Sequence, residues 1–330
     1  MNLEKHSYAS AMLSGFDYLL DTYPEVFIIG QGLWSPWYVG NTMTDLDKKF
    51  GTKRIIDTPV SESATTGAGV GASLVGMKPI VVHPRMDFML YAMDSIINEA
   101  SKWSYMFGGQ ANAGVTIRGI INRGGEQGAQ HSQSLHSLFA HIPGLRVVMP
   151  SSVSDARDLL ISSVLCKDPV LYIDDRWLYD FEDYIEPIKE LSLKDQKPKV
   201  LKEGNDISII ASSYSSRLCL NAAIKLDKKG INCEVVDLRV INPLHTETII
   251  SSVKKTGRLL TVDGSWKNCG LAGEIIASVV EQIPINCLKT SPKRLTLPSA
   301  PAPTSRLLEK AYYFDDKAIC EHVVSLLKNK

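Results

Sequence analysis

A two-domain α/β protein is predicted here by length, by alternation of short apolar runs with helical patterns, and by one break in composition. The chain has 330 residues, more than the roughly 100–200 of an ordinary domain. Apolar residues make up 44%, enough for a sizeable core and too many for a disordered chain. The break lies near residues 186–205, where Glu186-Pro187-Ile188-Lys189-Glu190 and Lys194-Asp195-Gln196-Lys197-Pro198-Lys199 are polar and interrupted by proline. The junction is therefore placed at 190/191, giving domains over 1–190 and 191–330.

The elements follow in order. Glu25-Val26-Phe27-Ile28-Ile29-Gly30 reads as a strand ending in glycine. Residues 63–75 are small side chains with three glycines, which lower helix propensity but allow backbones to approach closely. Pro79–His83 is a strand, and a helix is expected around Tyr91–Tyr105. Strands at 114–118, 145–150 and 169–173 enclose a helix over Ser154–Leu165. Such strand–helix alternation favours a largely parallel sheet. The second region restarts with strands at 207–211, 233–238 and 259–263, with helices over Ser215–Lys228 and Gly270–Glu281. Residues 297–304, rich in proline, are extended before a last helical pattern.

Lys and Arg number 36 and Asp and Glu 36, so no net charge is available for broad capture of nucleic acid or an anionic membrane. The start, Met1-Asn2-Leu3-Glu4-Lys5-His6, is polar and lacks the apolar stretch of a secretory signal, and no run of about 20 apolar residues could span a bilayer. Cys166, Cys219, Cys233, Cys269, Cys287 and Cys320 are scattered without metal-like spacing, which reads as reduced thiols. A cytoplasmic protein is the expectation.

Two segments invite chemistry. Asp57-Thr58-Pro59-Val60-Ser61-Glu62 precedes the small-residue segment, which matches neither a phosphate loop nor a dinucleotide fingerprint. On its own it reads as close helix packing, with Glu62 a helix-end cap or a solvated acid. Gly124-Gly125-Glu126-Gln127-Gly128-Ala129-Gln130-His131-Ser132-Gln133 carries a histidine able to exchange a proton near neutral pH. Spacing does not select His131 over His136 or His141, and the His, Cys and Asp content is too diffuse for a closed metal site.

Taken together, ordered fragments across nearly the whole chain resemble the beta subunit of the thiamine diphosphate-dependent 2-oxo-acid dehydrogenase first component. They are Asp57–Glu62, Gly67–Met77, Asp94-Ser95-Ile96-Ile97-Asn98-Glu99-Ala100, Gly108-Gly109-Gln110, Gln130-His131-Ser132-Gln133-Ser134 and Pro143–Pro150. Val236-Asp237-Leu238-Arg239, Asn242-Pro243 and Ser252–Arg258 follow in the second half. The resemblance implies a transketolase-like pyrimidine-binding domain followed by a smaller transketolase-type C-terminal α/β domain. It implies that Glu62 lies against the aminopyrimidine ring of thiamine diphosphate and helps activate it, that Phe88 stacks on that ring, and that His131 transfers a proton or positions the lipoyl acceptor. It further implies an alpha subunit that holds the diphosphate and its magnesium, an alpha2beta2 assembly, and a lipoyl acyltransferase as a further partner; alone, the chain would be catalytically incomplete. His136 and His141 would be structural or rim residues, and Asp94 and Asn98 support for the pocket or a subunit contact. No metal site is read in this chain.

The chain also departs from that pattern. Gln31, in Gly30-Gln31-Gly32-Leu33, stands where relatives carry an acid near the cofactor, and glutamine hydrogen-bonds without cycling a proton. Trp34-Ser35-Pro36-Trp37-Tyr38 is unusual and suits an interface. Arg85, in His83-Pro84-Arg85-Met86, suits a substrate carboxylate or phosphate, or else a salt bridge; Asp263-Gly264-Ser265-Trp266 hints at a specialised partner. Two other readings therefore stand beside the leading one: a split transketolase-like enzyme transferring a two-carbon unit, and a noncatalytic partner subunit.

Overall fold

The computed structural model describes residues 3–328, so Met1 and Asn2 of the polar N-terminal run lie outside the described residues. By its contacts the chain forms two compact units. The first takes the residues up to Arg123 together with Leu138–Gln196; the second takes Gly124–Ser137 and the chain from Lys197 onward. The histidine-bearing segment is thus counted with the second unit, although it interrupts the first in sequence.

In the first unit, strands β1 (Glu4–Ser7), β2 (Val26–Gln31), β3 (Ile55–Thr58), β4 (Lys78–His83), β5 (Thr116–Ile121), β6 (Arg146–Val148), β7 (Val170–Asp175) and β8 (Glu182–Ile185) appear in chain order. Side by side, the main sheet runs β6-β7-β5-β4-β2-β3, every neighbouring pair parallel. Its register aligns Gly30 with Asp57 and Val82, Val82 with Arg118, and Arg118 with Tyr172. Strands β5 and β7 are buried at every position, as central parallel strands covered on both faces must be. Arg118 survives there because Asp174 answers it: Nε and Nη2 donate to the carboxylate at 2.9 and 2.8 Å, and Nη2 also donates to the Tyr179 hydroxyl oxygen at 3.0 Å.

Helix α1 (Tyr8–Thr22) is not among the elements expected from the pattern. It begins on a capping box in which Ser7 and Ser10 each accept the other's backbone N–H, and it buries Tyr8, Met12, Phe16 and Leu19 along one stripe. Strands β1 and β8 pair antiparallel beside it in sequence, Glu4 opposite Ile185. Helix α2 (Glu62–Leu74) forms despite its glycines because they buy proximity: a Cβ on Gly69 would meet Val81 Cγ2 at 2.4 Å. Helix α3 (Val153–Leu165) falls where the pattern places it.

The single helix expected at Tyr91–Tyr105 is instead a tight turn over Phe88–Ala92, a π-helical stretch over Asp94–Ala100 and an α-helix over Ser101–Met106. The wider turn keeps Ser95 and Ala100 both buried, a spacing of five that an α-helix would rotate apart.

The second unit has strands β9 (Lys199–Lys202), β10 (Ile207–Ala211), β11 (Cys233–Asp237), β12 (Leu259–Trp266) and β13 (Lys293–Leu297), ordered β13-β12-β10-β11-β9 with β9 alone antiparallel. Helices α4 (Ser213–Asp227) and α7 (Asp316–Lys328) press Cys219, Ala223, Leu226, Ile319 and Val323 onto Ile209, Val235 and Leu260. Between them in sequence come α5 (Glu247–Thr256) and α6 (Leu271–Gln282). Gly257, at φ 72, ends α5 with its N–H on the Val253 carbonyl, a left-handed stop that favours glycine.

The packing of α2 on β4 predicts opposite signs for one chemical change. Gly69→Ala should destabilise the chain by about 1–3 kcal/mol in denaturant unfolding, because its methyl group displaces Val81. Gly71→Ala, exposed in the same helix with nothing within 4 Å of the added carbon, should stabilise it by about 0.5–1 kcal/mol.

Candidate active site

Parallel pairing brings the carboxyl ends of β2, β3, β4, β5 and β7 to one edge of the first sheet, the place where open α/β sheets bind ligands. Gln31 ends β2 and is half-buried. The turn after it is held by Asp57, whose Oδ1 accepts the N–H groups of Gly32 and Leu33 at 2.6 and 3.3 Å. Gly32, at φ +68, lies so close to the Tyr38 ring that a Cβ would sit 2.4 Å from it. Trp34 and Trp37, in the loop that follows, are 50% and 69% exposed.

Glu62 is the first residue of α2, where the helix N-terminus favours a carboxylate. It is half-buried, and its carboxylate meets no hydrogen-bonding or ionic partner among the described residues. Its backbone is anchored instead: the Glu62 carbonyl accepts the Thr66 hydroxyl at 2.8 Å, and Thr66 Oγ1 lies 3.1 Å from His83 Nε2. Having donated its one proton to the carbonyl, Thr66 accepts from Nε2–H, which assigns the tautomer of His83. Burial pushes the His83 pKa down to about 4, so the ring is neutral at pH 7. Phe88 starts the turn that follows β4 and is half-buried, its N–H on the Arg85 carbonyl at 3.2 Å. Asp94 and Asn98 are exposed and hydrogen-bonded to each other at 2.7 Å.

His131 belongs to the second unit's segment, half-buried, its backbone N–H on the Gly128 carbonyl at 3.4 Å. The same segment is tied to that unit through Ser134, whose carbonyl accepts the Ser265 hydroxyl at 2.8 Å, and Ser137, whose hydroxyl accepts the Leu271 N–H at 2.9 Å. His136 is buried between Ser134 Oγ, 2.9 Å from Nδ1, and Asp263 Oδ1, 3.1 Å from Nε2. Burial works to raise the Asp263 carboxyl, yet attraction to His136 and the N–H groups of Ala272 and Ser265 hold it below the usual carboxylate value. His141 is exposed. The structure therefore gathers Gln31, Glu62 and Phe88 at one sheet edge and puts His131 in the second unit. The His136–Asp263 pair escaped sequence reasoning; its only signal was the odd Asp263-Gly264-Ser265-Trp266 run.

Among the described residues no group of three or more His, Cys, Asp or Glu could hold a metal, and no helix is long and apolar enough to cross a membrane. All six cysteines are free thiols.

Residues 4–180 match the transketolase pyrimidine-binding domain and residues 196–319 the transketolase C-terminal domain. The chain belongs to the transketolase-like pyrimidine-binding family. Within that family it is homologous to the beta subunits of pyruvate dehydrogenase and acetoin enzymes. It is 40% identical over 259 residues to the acetoin:2,6-dichlorophenolindophenol oxidoreductase subunit beta of Cupriavidus necator, covering 78% of this chain and 76% of that one. It is 36% identical over 302 residues to the mitochondrial pyruvate dehydrogenase E1 component subunit beta of Bos taurus, covering 91% and 84%. A solved split-gene transketolase, an inactive beta4 tetramer, shares the fold at TM-score 0.78 and 21% identity, over 98% of this chain and 97% of its own. Both transketolase-type domains are thus present in family order.

Two predictions follow from the buried histidines. The unfolded chain binds a proton at His83 near pH 6.5 that the folded chain refuses until about pH 4. Stability should therefore fall on acidification through that window, by up to about 3 kcal/mol. His83→Gln should show a flatter pH profile than wild type in parallel denaturant titrations. His136→Ala, which strips the buried Asp263 carboxylate of its imidazole neighbour, should cost about 3 kcal/mol in unfolding at neutral pH.

Proposed function

We propose that this chain is the beta subunit of a thiamine diphosphate-dependent 2-oxo-acid dehydrogenase, decarboxylating a 2-oxo acid and passing the acyl unit to lipoyl. The observation that carries the reading is Glu62, a half-buried carboxylate without a partner among the described residues, at the ligand-binding edge of a sheet of this family. A polar group that folding leaves half out of water and unpaired is suited to a ligand's ring nitrogen. Thiamine diphosphate, when bound, supplies the electron sink for loss of carbon dioxide. In this reading Glu62 holds a proton at the aminopyrimidine ring and Phe88 offers that ring an apolar face. Gln31 adds a hydrogen bond without exchanging a proton. His131 moves a proton, or orients the lipoyl acceptor, during acyl transfer. Magnesium and the diphosphate are left to an alpha subunit in an alpha2beta2 assembly, so the chain works only with that partner. The names of the relatives, which are subunits of pyruvate dehydrogenase and acetoin enzymes, support this assignment.

The test is reconstitution with the alpha partner, thiamine diphosphate and magnesium, followed by carbon dioxide release from a panel of 2-oxo acids. Glu62→Gln should lower kcat by about 100-fold or more with the fold intact. His131→Ala should depress transfer to a lipoyl acceptor more than carbon dioxide release. An assembled wild type that binds cofactor yet releases no carbon dioxide would reject the reading, and two-carbon transfer between sugars in its place would favour the split transketolase-like enzyme.

A further inference from the structure

Arg85 is a buried charge that makes no ion pair among the described residues. It follows β4 through Pro84 and opens the turn that ends on Phe88, the Phe88 N–H resting on its carbonyl. The residue is only 9% exposed, and a guanidinium so placed ordinarily sits on a carboxylate. Arg118 does so with Asp174, and Arg123 with Asp175. Arg85 does not. Its Nη1 donates to the Pro84 carbonyl at 2.9 Å, and its Nε is buried without an acceptor.

A second guanidinium hangs from the same frame. Arg176 donates from Nη1 to Asn122 Oδ1 at 3.0 Å, and from Nη2 to the carbonyls of Trp37 and Pro36 at 2.9 and 3.2 Å. Asn122 in turn donates to the Pro84 carbonyl at 2.8 Å. Every acceptor is neutral and neither guanidinium makes an ion pair among the described residues, and the loops after β2, β4, β5 and β7 are stitched into one edge. Burial, and next the charge of Arg176, push the Arg85 guanidinium below its ordinary value, with Asp87 acting the other way.

We propose that Arg85 and Arg176 bind a second anionic group of the substrate, a distal carboxylate or phosphoryl group that stays on the molecule throughout the reaction. This rests on the decarboxylating reading above and extends it by naming the substrate class. The carboxylate lost in decarboxylation leaves as neutral carbon dioxide. A guanidinium clamped on it would favour the ground state over the transition state. An anion that is retained keeps its contact from binding to release, and a planar guanidinium fork suits carboxylate and phosphate alike.

The test assembles the full chain with its alpha partner and compares carbon dioxide release from 2-oxobutyrate, 2-oxoglutarate and 2-oxo-4-phosphonobutyrate. One of the two doubly charged probes should exceed 2-oxobutyrate in kcat/KM by about 10-fold or more, and which one it is identifies carboxylate or phosphoryl. Arg85→Gln should cut that preference about 30-fold, chiefly through KM, and Arg85→Lys should restore part of it. A readout without turnover uses the full chain alone: glutarate or inorganic phosphate should raise the thermal midpoint of wild type, butyrate should not, and Arg85→Gln should abolish the shift. A wild-type preference for 2-oxobutyrate, or equal loss on all three probes in Arg85→Gln, overturns the site while the decarboxylase reading stands. No turnover of any probe, with the Arg85-dependent thermal shift present, rejects the decarboxylase reading and keeps the anion site.

Discussion

Parallel strand pairing is the constraint on which the first unit depends. With β3, β2, β4, β5 and β7 all pointing one way, residues remote in sequence must surface at a common edge. A slip of one residue would turn every side chain of a strand to the opposite face. Arg118 and Asp174 make such a slip costly between β5 and β7, since each is a fully buried charge and the two form an ion pair across those strands. Gln31, Thr58 and His83 inherit their places at the strand ends from that alignment, and Glu62 and Phe88 follow within a few residues.

Against this rigid frame the treatment of charge differs from place to place. Arg118 and Arg123 are answered by aspartates, His83 is kept neutral by burial, and His136 sits on Asp263 in the second unit. Glu62 and Arg85 stand apart, one a half-buried anion and the other a buried cation, each without an ionic partner among the described residues. Folded proteins pair nearly all such groups, so two failures at one sheet edge point outward, to something the chain does not itself supply.

Much of this was legible in the residue order. The runs that became β2, β4, β5 and β7 are apolar, short and bounded by turn residues, so burial alone identifies them. Helix α1 was harder to see because its apolar stripe is made of Tyr8, Met12, Phe16 and Leu19 among small polar residues. Strand β3 contributes only Ile55–Thr58 and reads as a strand once β2 lies beside it. The π-helical stretch depends on which of its side chains must face inward, and local propensity carries no record of that.

The order of residues along the chain was enough for two α/β domains, for the small-residue helix behind Glu62 and for the family to which both domains belong, because periodicity and ordered motifs are local properties. Tertiary structure alone decided that Thr66 ties the Glu62 turn to His83, that His136 finds Asp263, and that Arg85 Nε is buried with no acceptor among the described residues. Those outcomes turn on burial and on the register between distant strands, and neither is set until the whole sheet has closed around them.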